Sequence, residues 1–163
     1  MKQFKIISFG LIVLSIGLTS CVKEKNFPAI PSIEFKQYDN YGRDSANCII
    51  KFKDGDGDIG VLEGDTIPDL KMKYLYYDTA SHTFLPLDYD LTNLTFDTLF
   101  ADYRVPNLTP DGQYKALDGE IKVKLRSLPI YDPTHYKVKW EIRLKDRAGN
   151  TSNTVSTDEI NLP

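Results

Sequence analysis

The chain contains little cysteine and histidine, and it has no apolar run long enough to cross a membrane. There are two cysteines and two histidines in 163 residues. The longest apolar run, residues 6–18, has thirteen residues, whereas a helix that crosses a bilayer needs about 20. His82 and His135 fit no metal-ligand spacing, and the sequence shows no nucleophile elbow, phosphate loop or Cys–His pair. We therefore expect that the protein is not an enzyme.

A basic excess is also absent. The formal net charge is −3 at pH 7, and it becomes −5 when residues 1–20, which carry two lysines and no acid, are removed. An acidic chain is poorly suited to bind the phosphate backbone of nucleic acids. We therefore expect no nucleic-acid partner.

Helical periodicity is missing, and alternation of apolar and polar residues takes its place. Ile121, Val123 and Leu125, for example, alternate with basic residues. Such alternation favours antiparallel sheets with one buried and one solvated face. We predict an all-β fold, an immunoglobulin-like antiparallel β-sandwich of about seven strands, with a partly open β-barrel as the alternative. The clearest predicted strands lie around residues 33–35, 48–52, 72–76, 121–125, 136–144 and 155–162, with weaker pieces at 84–87 and 98–105.

Cys21 stands at the end of a segment that is typical of a secretory signal. Lys2 and Lys5 give a basic start, the apolar run follows, and small residues precede the cysteine. The final residues, Leu18-Thr19-Ser20-Cys21, resemble the lipobox of bacterial lipoproteins, in which the cysteine is acylated and becomes the first residue of the mature protein. The resemblance implies a protein that is anchored by lipid outside the cytoplasm.

This resemblance divides the chain into three parts. Residues 1–20 are the expected signal peptide, residues 21–31 a lipid-anchored linker punctuated by proline, and residues 32–163 the folded domain. We expect an outer-membrane lipoprotein on the cell surface or the periplasmic face. Because acylation uses Cys21, Cys48 remains the one free thiol and no internal disulfide is expected.

The strongest chemical motif is Asp54-Gly55-Asp56-Gly57-Asp58-Ile59-Gly60, here called the acidic loop, directly after a predicted strand. Carboxylates that alternate with glycines can converge on a hard cation such as calcium, which takes six to eight oxygen ligands. A true EF-hand is rejected, because Ile59 stands where the sharp turn needs glycine and Asp65 where a bidentate glutamate is needed. The motif predicts a calcium loop on a β scaffold, with Asp54, Asp56, Asp58 and Asp65 as candidate ligands.

A second loop, Asp146-Arg147-Ala148-Gly149-Asn150, follows the strand predicted at 136–144. In an immunoglobulin-like sandwich it lies at the same end as the acidic loop, so Asp146 is a further candidate ligand. Two other interpretations remain open: Arg147 pairs with the carboxylates in a metal-free lock, or the acidic loop is a plain solvated turn. A calcium ion here would be structural rather than catalytic.

Three clustered tyrosines, Tyr74, Tyr76 and Tyr77, support a weaker hypothesis. An aromatic platform built from them would bind a sugar or a peptide, although tyrosine is also common in strands. The corresponding alternative function is a carbohydrate-binding surface lipoprotein. A hydrolase centred on the carboxylates of the acidic loop is a more remote alternative.

Together these motifs resemble small Bacteroidota lipoproteins of unassigned function. The resemblance rests on the acidic loop after Phe52, on the pattern D-R-A-G-N-x-S-N from Asp146 to Asn153, and on the Thr157-Asp158 pair that begins the last strand. It covers about residues 45–163. It implies an immunoglobulin-like sandwich in the cell envelope and supplies no activity.

Two further resemblances concern sorting and modification. Lys23 and Glu24 resemble part of the basic–acidic surface-export signal of lipoproteins in this phylum. Four triplets of Asp, Ser or Thr, and an apolar residue match the phylum's O-glycosylation pattern. The candidate acceptors are Ser45, Thr66, Thr79 and Thr98.

The function expected from the sequence is that of a non-enzymatic interaction or accessory module, anchored in the envelope and stabilised by structural calcium. Its expected partners are the membrane, through the lipid anchor, and an envelope protein or glycan whose identity the sequence does not give.

Overall fold

The computed structural model of the chain describes residues 26–42, 45–86, 88–90, 95–98, 100–126 and 136–162. Within these ranges every regular element is a strand, and no helix is long and apolar enough to cross a membrane. The predicted all-β fold is confirmed. Cys21 and the expected signal peptide lie outside the described residues. The strands are β1 (Ser32–Asn40), β2 (Ala46–Asp54), β3 (Leu70–Asp78), β4 (Thr83–Pro86), β5 (Asp88–Asp90), β6 (Thr95–Thr98), β7 (Phe100–Tyr103), β8 (Leu117–Leu125), β9 (Lys137–Leu144), β10 (Val155–Ser156) and β11 (Ile160–Asn161).

The strands form two antiparallel sheets that face each other as a sandwich. One sheet has the order β1–β2–β8, and the other has the order β10–β9–β3–β4, with β11 also on β9 and β7 also on β3. Strands β5 and β6 pair with each other. The first two strands share a sheet with β8, while β3 and β9 occupy the other, which is the division of strands found in immunoglobulin-like domains. The sheets do not close on each other, so the barrel alternative is wrong.

The alternating pattern buries one face of each sheet. In β2, Cys48, Ile50 and Phe52 are buried while Lys51 and Lys53 are exposed. The facing sheet contributes apolar side chains from β3 and β9 to the same core. The two largest fully buried side chains, Trp140 and Tyr74, form an edge-to-face pair with ring centroids 5.1 Å apart, an arrangement that aromatic rings favour. Burial of this core is the main source of stability, since the described residues contain no disulfide.

The last predicted strand, residues 155–162, is interrupted. Strands β10 and β11 both pair with β9, but residues 157–159 separate them. The Trp140 N–H donates to Thr157 Oγ1 (3.1 Å) and the Thr157 N–H donates to the Trp140 carbonyl (2.9 Å). The Thr157 hydroxyl thus accepts the hydrogen bond that a backbone carbonyl would accept in a continuous strand, and the strand is broken between β10 and β11.

The start of β1 and the loops after β2 and β9 lie at one end of the sandwich. The Ile33 N–H donates to Asn153 Oδ1 (2.9 Å), and Asn153 Nδ2 donates to the Ile33 carbonyl (2.9 Å). The Ala148 N–H donates to Asp58 Oδ2 (2.8 Å). The predicted meeting of the acidic loop with the loop after β9 is therefore confirmed.

Candidate metal centre

Three carboxylates of the acidic loop converge beyond the end of β2. Asp54, Asp56 and Asp58 each present one carboxylate oxygen, and these oxygens all lie within 4.8 Å of one another. The loop folds back because the Asp58 N–H donates to Asp54 Oδ2 (3.0 Å). Calcium binds oxygen at about 2.3–2.6 Å, so two oxygens that share a calcium ion lie at most about 5 Å apart, and all three oxygens meet this condition.

Two oxygens of this group are buried and lack a hydrogen-bond partner among the described residues. They are Oδ1 of Asp54 and Oδ1 of Asp58. Asp54 is 0% exposed, although it belongs to the group of side chains that is almost never fully buried unless paired. A buried carboxylate oxygen without a partner is unfavourable, whereas a coordinated cation would satisfy it.

The pKa of Asp54 is raised to about 6, mainly by its burial. Hydrogen bonds from the backbone of Asp58 and Gly57 oppose this shift, and the negative charges of Asp56 and Asp58 add to it. Burial likewise raises the pKa of Asp58, against the Ala148 hydrogen bond. Burial thus opposes ionisation of both carboxylates, and at Asp58 the positive charge of Arg147 offsets only part of this effect. A divalent cation would favour the ionised form of both.

The backbone of two other segments packs against the glycines of the acidic loop. The Gly55 N–H donates to the Pro28 carbonyl (2.9 Å), and a Cβ on Gly55 would lie 2.2 Å from the Phe27 carbonyl oxygen. Gly57 has φ of +71°, and a Cβ there would lie 2.1 Å from the Lys115 carbonyl oxygen. Backbone approaches this close require glycine. The loop is therefore packed between the chain that precedes β1 and the chain that precedes β8.

Asp146 lies near this group but is not part of it. Its Oδ1 accepts the Asn150 N–H (2.7 Å) and its Oδ2 accepts from Asn150 Nδ2 (2.8 Å), so both oxygens hold the turn of their own loop. Asp146 is close enough for its charge to raise the pKa of Asp58. Its role in the structure is to shape the loop that donates the Ala148 N–H to Asp58.

Asp65 is also outside the three-carboxylate group. Its side chain is exposed, and its Oδ2 accepts the N–H of Leu62 (3.2 Å) within its own turn. The five predicted ligands are therefore reduced to a group of three, Asp54, Asp56 and Asp58. Asp65 and Asp146, which were also predicted as ligands, instead accept hydrogen bonds within their own turns.

The alternative of an Arg147–carboxylate lock is wrong. The Arg147 guanidinium donates from Nη1 to the Gly60 carbonyl (2.8 Å) and to Asn107 Oδ1 (3.0 Å), and from Nη2 to Thr109 Oγ1. Among the described contacts it has none with a carboxylate oxygen. Arg147 therefore joins the loop after β9 to residues 107–109. The alternative of a plain solvated turn is wrong as well, because Asp54 is fully buried.

The three tyrosines do not form a platform. Tyr74 is 0% exposed and packs against Trp140, and Tyr76 packs against the same core. Tyr77 lies on the opposite face of β3, where its ring meets Phe84 at 5.3 Å. The predicted aromatic binding surface of Tyr74, Tyr76 and Tyr77 is therefore wrong.

The candidate O-glycosylation residues remain predictions. Ser45, Thr66 and Thr79 have exposed side chains: Ser45 directly precedes β2, Thr79 directly follows β3, and Thr66 lies in the β2–β3 connection. Thr98 is the last residue of β6. Exposure is required for modification and does not establish it.

Sequence reasoning missed Asp69, a buried acid directly before β3. It is 7% exposed, its Oδ1 accepts the Val105 N–H (2.8 Å), and its Oδ2 lacks a partner among the described residues. Burial raises its pKa. The sequence offers one signal, an acid directly before an apolar strand, but that signal does not separate a buried acid from an exposed one.

No family model, no curated protein and no solved structure matches this chain. The arrangement of the side chains is therefore the basis for assigning a function.

Proposed function

We propose that this protein is a lipid-anchored, non-enzymatic interaction domain of the bacterial envelope whose acidic loop holds a structural calcium ion. One observation carries the calcium assignment: the buried Oδ1 atoms of Asp54 and Asp58 lack hydrogen-bond partners within a group of three converging carboxylates. A cation supplies what both atoms lack.

Calcium fits the group better than other cations do. The ligands are all carboxylate oxygens, which hard cations prefer over the softer transition metals. Magnesium requires oxygens at about 2.0–2.1 Å in near-ideal octahedral geometry and usually keeps several of its waters. Calcium accepts longer and more variable distances, and water completes its shell at the exposed side of Asp56.

The surroundings favour a structural role for the ion. The acidic loop is packed against the backbone of Phe27 at Gly55 and of Lys115 at Gly57. An ion that fixes the loop would therefore also stabilise its contacts with these two segments, which are far apart in the chain. Extracellular calcium modules bind with dissociation constants of about 0.1–1 mM. Calcium at ten times the dissociation constant adds about 1.4 kcal/mol to the free energy of unfolding.

The proposed anchor places this end of the domain near the membrane. Phe27 and Pro28 pack on the acidic loop, and the six residues from Cys21 to Phe27 span at most about 22 Å. The proposed partner is an envelope component that lies within this distance of the lipid surface. Cys21→Ala is expected to move the protein from the membrane fraction to the soluble fraction, and retention in the membrane would contradict the anchor.

The calcium site is tested by thermal unfolding of the full chain in detergent, first in EDTA and then with increasing calcium. For the wild type we expect the melting temperature to rise by a few degrees, as about 1.4 kcal/mol does in a domain of this size. Asp56→Asn removes an exposed member of the group and is expected to abolish the rise. Asp65→Asn is the matched control, because Asp65 lies outside the group, and it should respond like the wild type.

Either of two results contradicts the calcium assignment. One is a melting temperature that is the same in EDTA and at 10 mM calcium. The other is an equal calcium response in the wild type and in Asp56→Asn, which would place the ion elsewhere.

A further inference from the structure

A cavity of about 370 Å³ lies beside the acidic loop, between the β2–β3 connection and the loop after β9. Val61, Leu62, Ile67 and Pro68 give it an apolar wall, and Asp69 contributes to its lining. Binding cavities for small molecules have volumes of about 300–1,000 Å³. This cavity is at the lower end of that range and suits one long side chain better than a large ligand.

The apolar rim of the cavity is exposed although the loop that carries it is well held. Leu62 is 49% exposed and Ile67 is 73% exposed. The loop is fixed by hydrogen bonds from the Val61 N–H to the Val105 carbonyl (2.9 Å) and from Arg104 Nη1 to the Asp65 carbonyl (2.9 Å). Large aliphatic side chains presented on a fixed loop form a contact surface that loses little entropy on binding.

The charges around the cavity favour a cationic occupant. The lining contains three acids, Asp65, Asp69 and Asp146, and two bases, Lys145 and Arg147. The Arg147 guanidinium is already held by Gly60, Asn107 and Thr109. Asp69 is more than nine-tenths buried, and its Oδ2 lacks a partner among the described residues. A cationic donor that reached this carboxylate would satisfy it.

We propose that this cavity is the docking site for a lysine or arginine side chain of a partner protein, whose aliphatic stem packs on Leu62 and Ile67 while its cationic head pairs with Asp69. Long basic side chains combine an apolar stem with a charged end, which matches an apolar rim around a buried acid. This inference rests on the proposed function, because it names the partner chemistry of the interaction domain.

The test is an NMR titration of the full chain in detergent with two short peptides. The probe is acetyl-Leu-Lys-Leu-amide, and its control is acetyl-Leu-norleucine-Leu-amide, which keeps the aliphatic stem and lacks the charge. We expect saturable shifts of the Leu62, Ile67 and Gly149 amide signals with the lysine peptide. Its affinity should exceed that of the control about tenfold, which corresponds to one charge-assisted hydrogen bond.

Two variants localise the binding. Asp69→Asn removes the charge at the same size, and Ile67→Ser removes a rim side chain that is largely exposed and therefore contributes little to folding. Each is expected to weaken the lysine peptide about tenfold, whereas Asp111→Asn, an exposed acid outside the cavity, should leave it unchanged. If Asp69→Asn does not fold, Ile67→Ser and the peptide pair still decide the proposal.

Equal binding of the two peptides, shifts confined to other residues, or no saturable shift at 20 mM peptide would each overturn the proposal. Peptide binding is followed at the cavity residues, whereas calcium is followed by melting temperature. Failure of this inference is therefore distinguishable from failure of the calcium assignment.

Discussion

Asp54 is the residue at which burial and charge conflict most directly. Its pKa is raised from 3.8 to about 6 by burial, so without metal the folded protein binds its proton more tightly than the unfolded chain does. The free energy of unfolding therefore decreases as the pH rises from about 4 to about 6, and it stays lower above that range. We expect Asp54→Asn, which cannot ionise, to show a smaller loss of melting temperature over this range in metal-free buffer.

The measurement is a series of thermal melts from pH 4 to pH 7.5 on metal-free protein. Glu34→Gln is a suitable control, because Glu34 has an exposed carboxylate on β1, and its profile should run parallel to that of the wild type. Parallel profiles of the wild type and Asp54→Asn would show that the Asp54 carboxyl is not the titrating group.

Cys48 provides a second prediction at the residue scale. It is 0% exposed in the core, and burial raises its pKa to about 12. The thiolate is the reactive form of cysteine, so we expect a folded Cys21→Ser protein to react with a thiol reagent at least about 100-fold more slowly than the same protein in urea. Absorbance after addition of dithiobisnitrobenzoate measures both rates. Comparable rates would mean that Cys48 is not buried in the sandwich.

The sequence identified three of the site carboxylates correctly as neighbours because their proximity is local. Asp54, Asp56 and Asp58 are two residues apart, and glycines between them allow the chain to turn. Asp65 and Asp146 could not be judged in the same way, since each is taken by hydrogen bonds within its own turn. Spacing shows which acids can converge and does not show which of them have other partners.

At the scale of the element, the acidic loop depends on the absence of side chains. Gly57→Ala would place a Cβ 2.1 Å from the Lys115 carbonyl oxygen at φ of +71°. We expect it to lower the free energy of unfolding by more than about 2 kcal/mol, from backbone strain together with the steric clash. Gly64 is the matched control, because it has a similar φ of +94° but open space around it. Gly64→Ala should therefore lose only about 1 kcal/mol.

Urea denaturation of the two glycine variants measures this difference. Equal losses would mean that the contact between Gly57 and Lys115 does not restrict the loop, and that φ alone determines the effect. A larger loss in Gly64→Ala would contradict the packing of the acidic loop against the chain before β8.

Strands were predictable where burial alternates cleanly, as in β2, β8 and β9. Between Thr83 and Tyr103 the weaker predicted pieces at 84–87 and 98–105 correspond to β4 and β7, whereas the short strands β5 and β6 were not predicted. The break between β10 and β11 was also missed. It arises from the Thr157 hydroxyl, which bonds to a backbone group of the neighbouring strand. The apolar pattern contains no information about such a contact, because it depends on the partner strand.

At the scale of the whole molecule, Asn153 joins the two sheets at the end that carries the site. Its side-chain amide makes two hydrogen bonds to the backbone of Ile33, the second residue of β1, which is an edge strand of the other sheet. We expect Asn153→Ala to lower the free energy of unfolding by about 1–3 kcal/mol, since both backbone groups lose their partner. Asn161→Ala is the control, because Asn161 is also exposed but its side chain makes no hydrogen bond to the other sheet among the described contacts, and urea denaturation should detect little change in it. A loss of similar size in both variants would contradict the bridging role.

The metal centre is expected to connect three distant parts of the chain. The Gly55 N–H donates to Pro28, the Asp58 N–H to Asp54 and the Ala148 N–H to Asp58. Calcium bound to Asp54, Asp56 and Asp58 holds all three hydrogen bonds closed, so at ten times the dissociation constant we expect their amide hydrogens to exchange about tenfold more slowly. The Leu162 N–H, which donates to the Tyr136 carbonyl (2.8 Å), serves as the reference for opening that does not involve the site.

Hydrogen exchange followed by NMR, in EDTA and in calcium, measures all four amides in one sample. If calcium slowed exchange at Leu162 as much as at the other three amides, its effect would be on the whole fold. If exchange at Gly55 were not slowed, the chain before β1 would not be coupled to the metal centre.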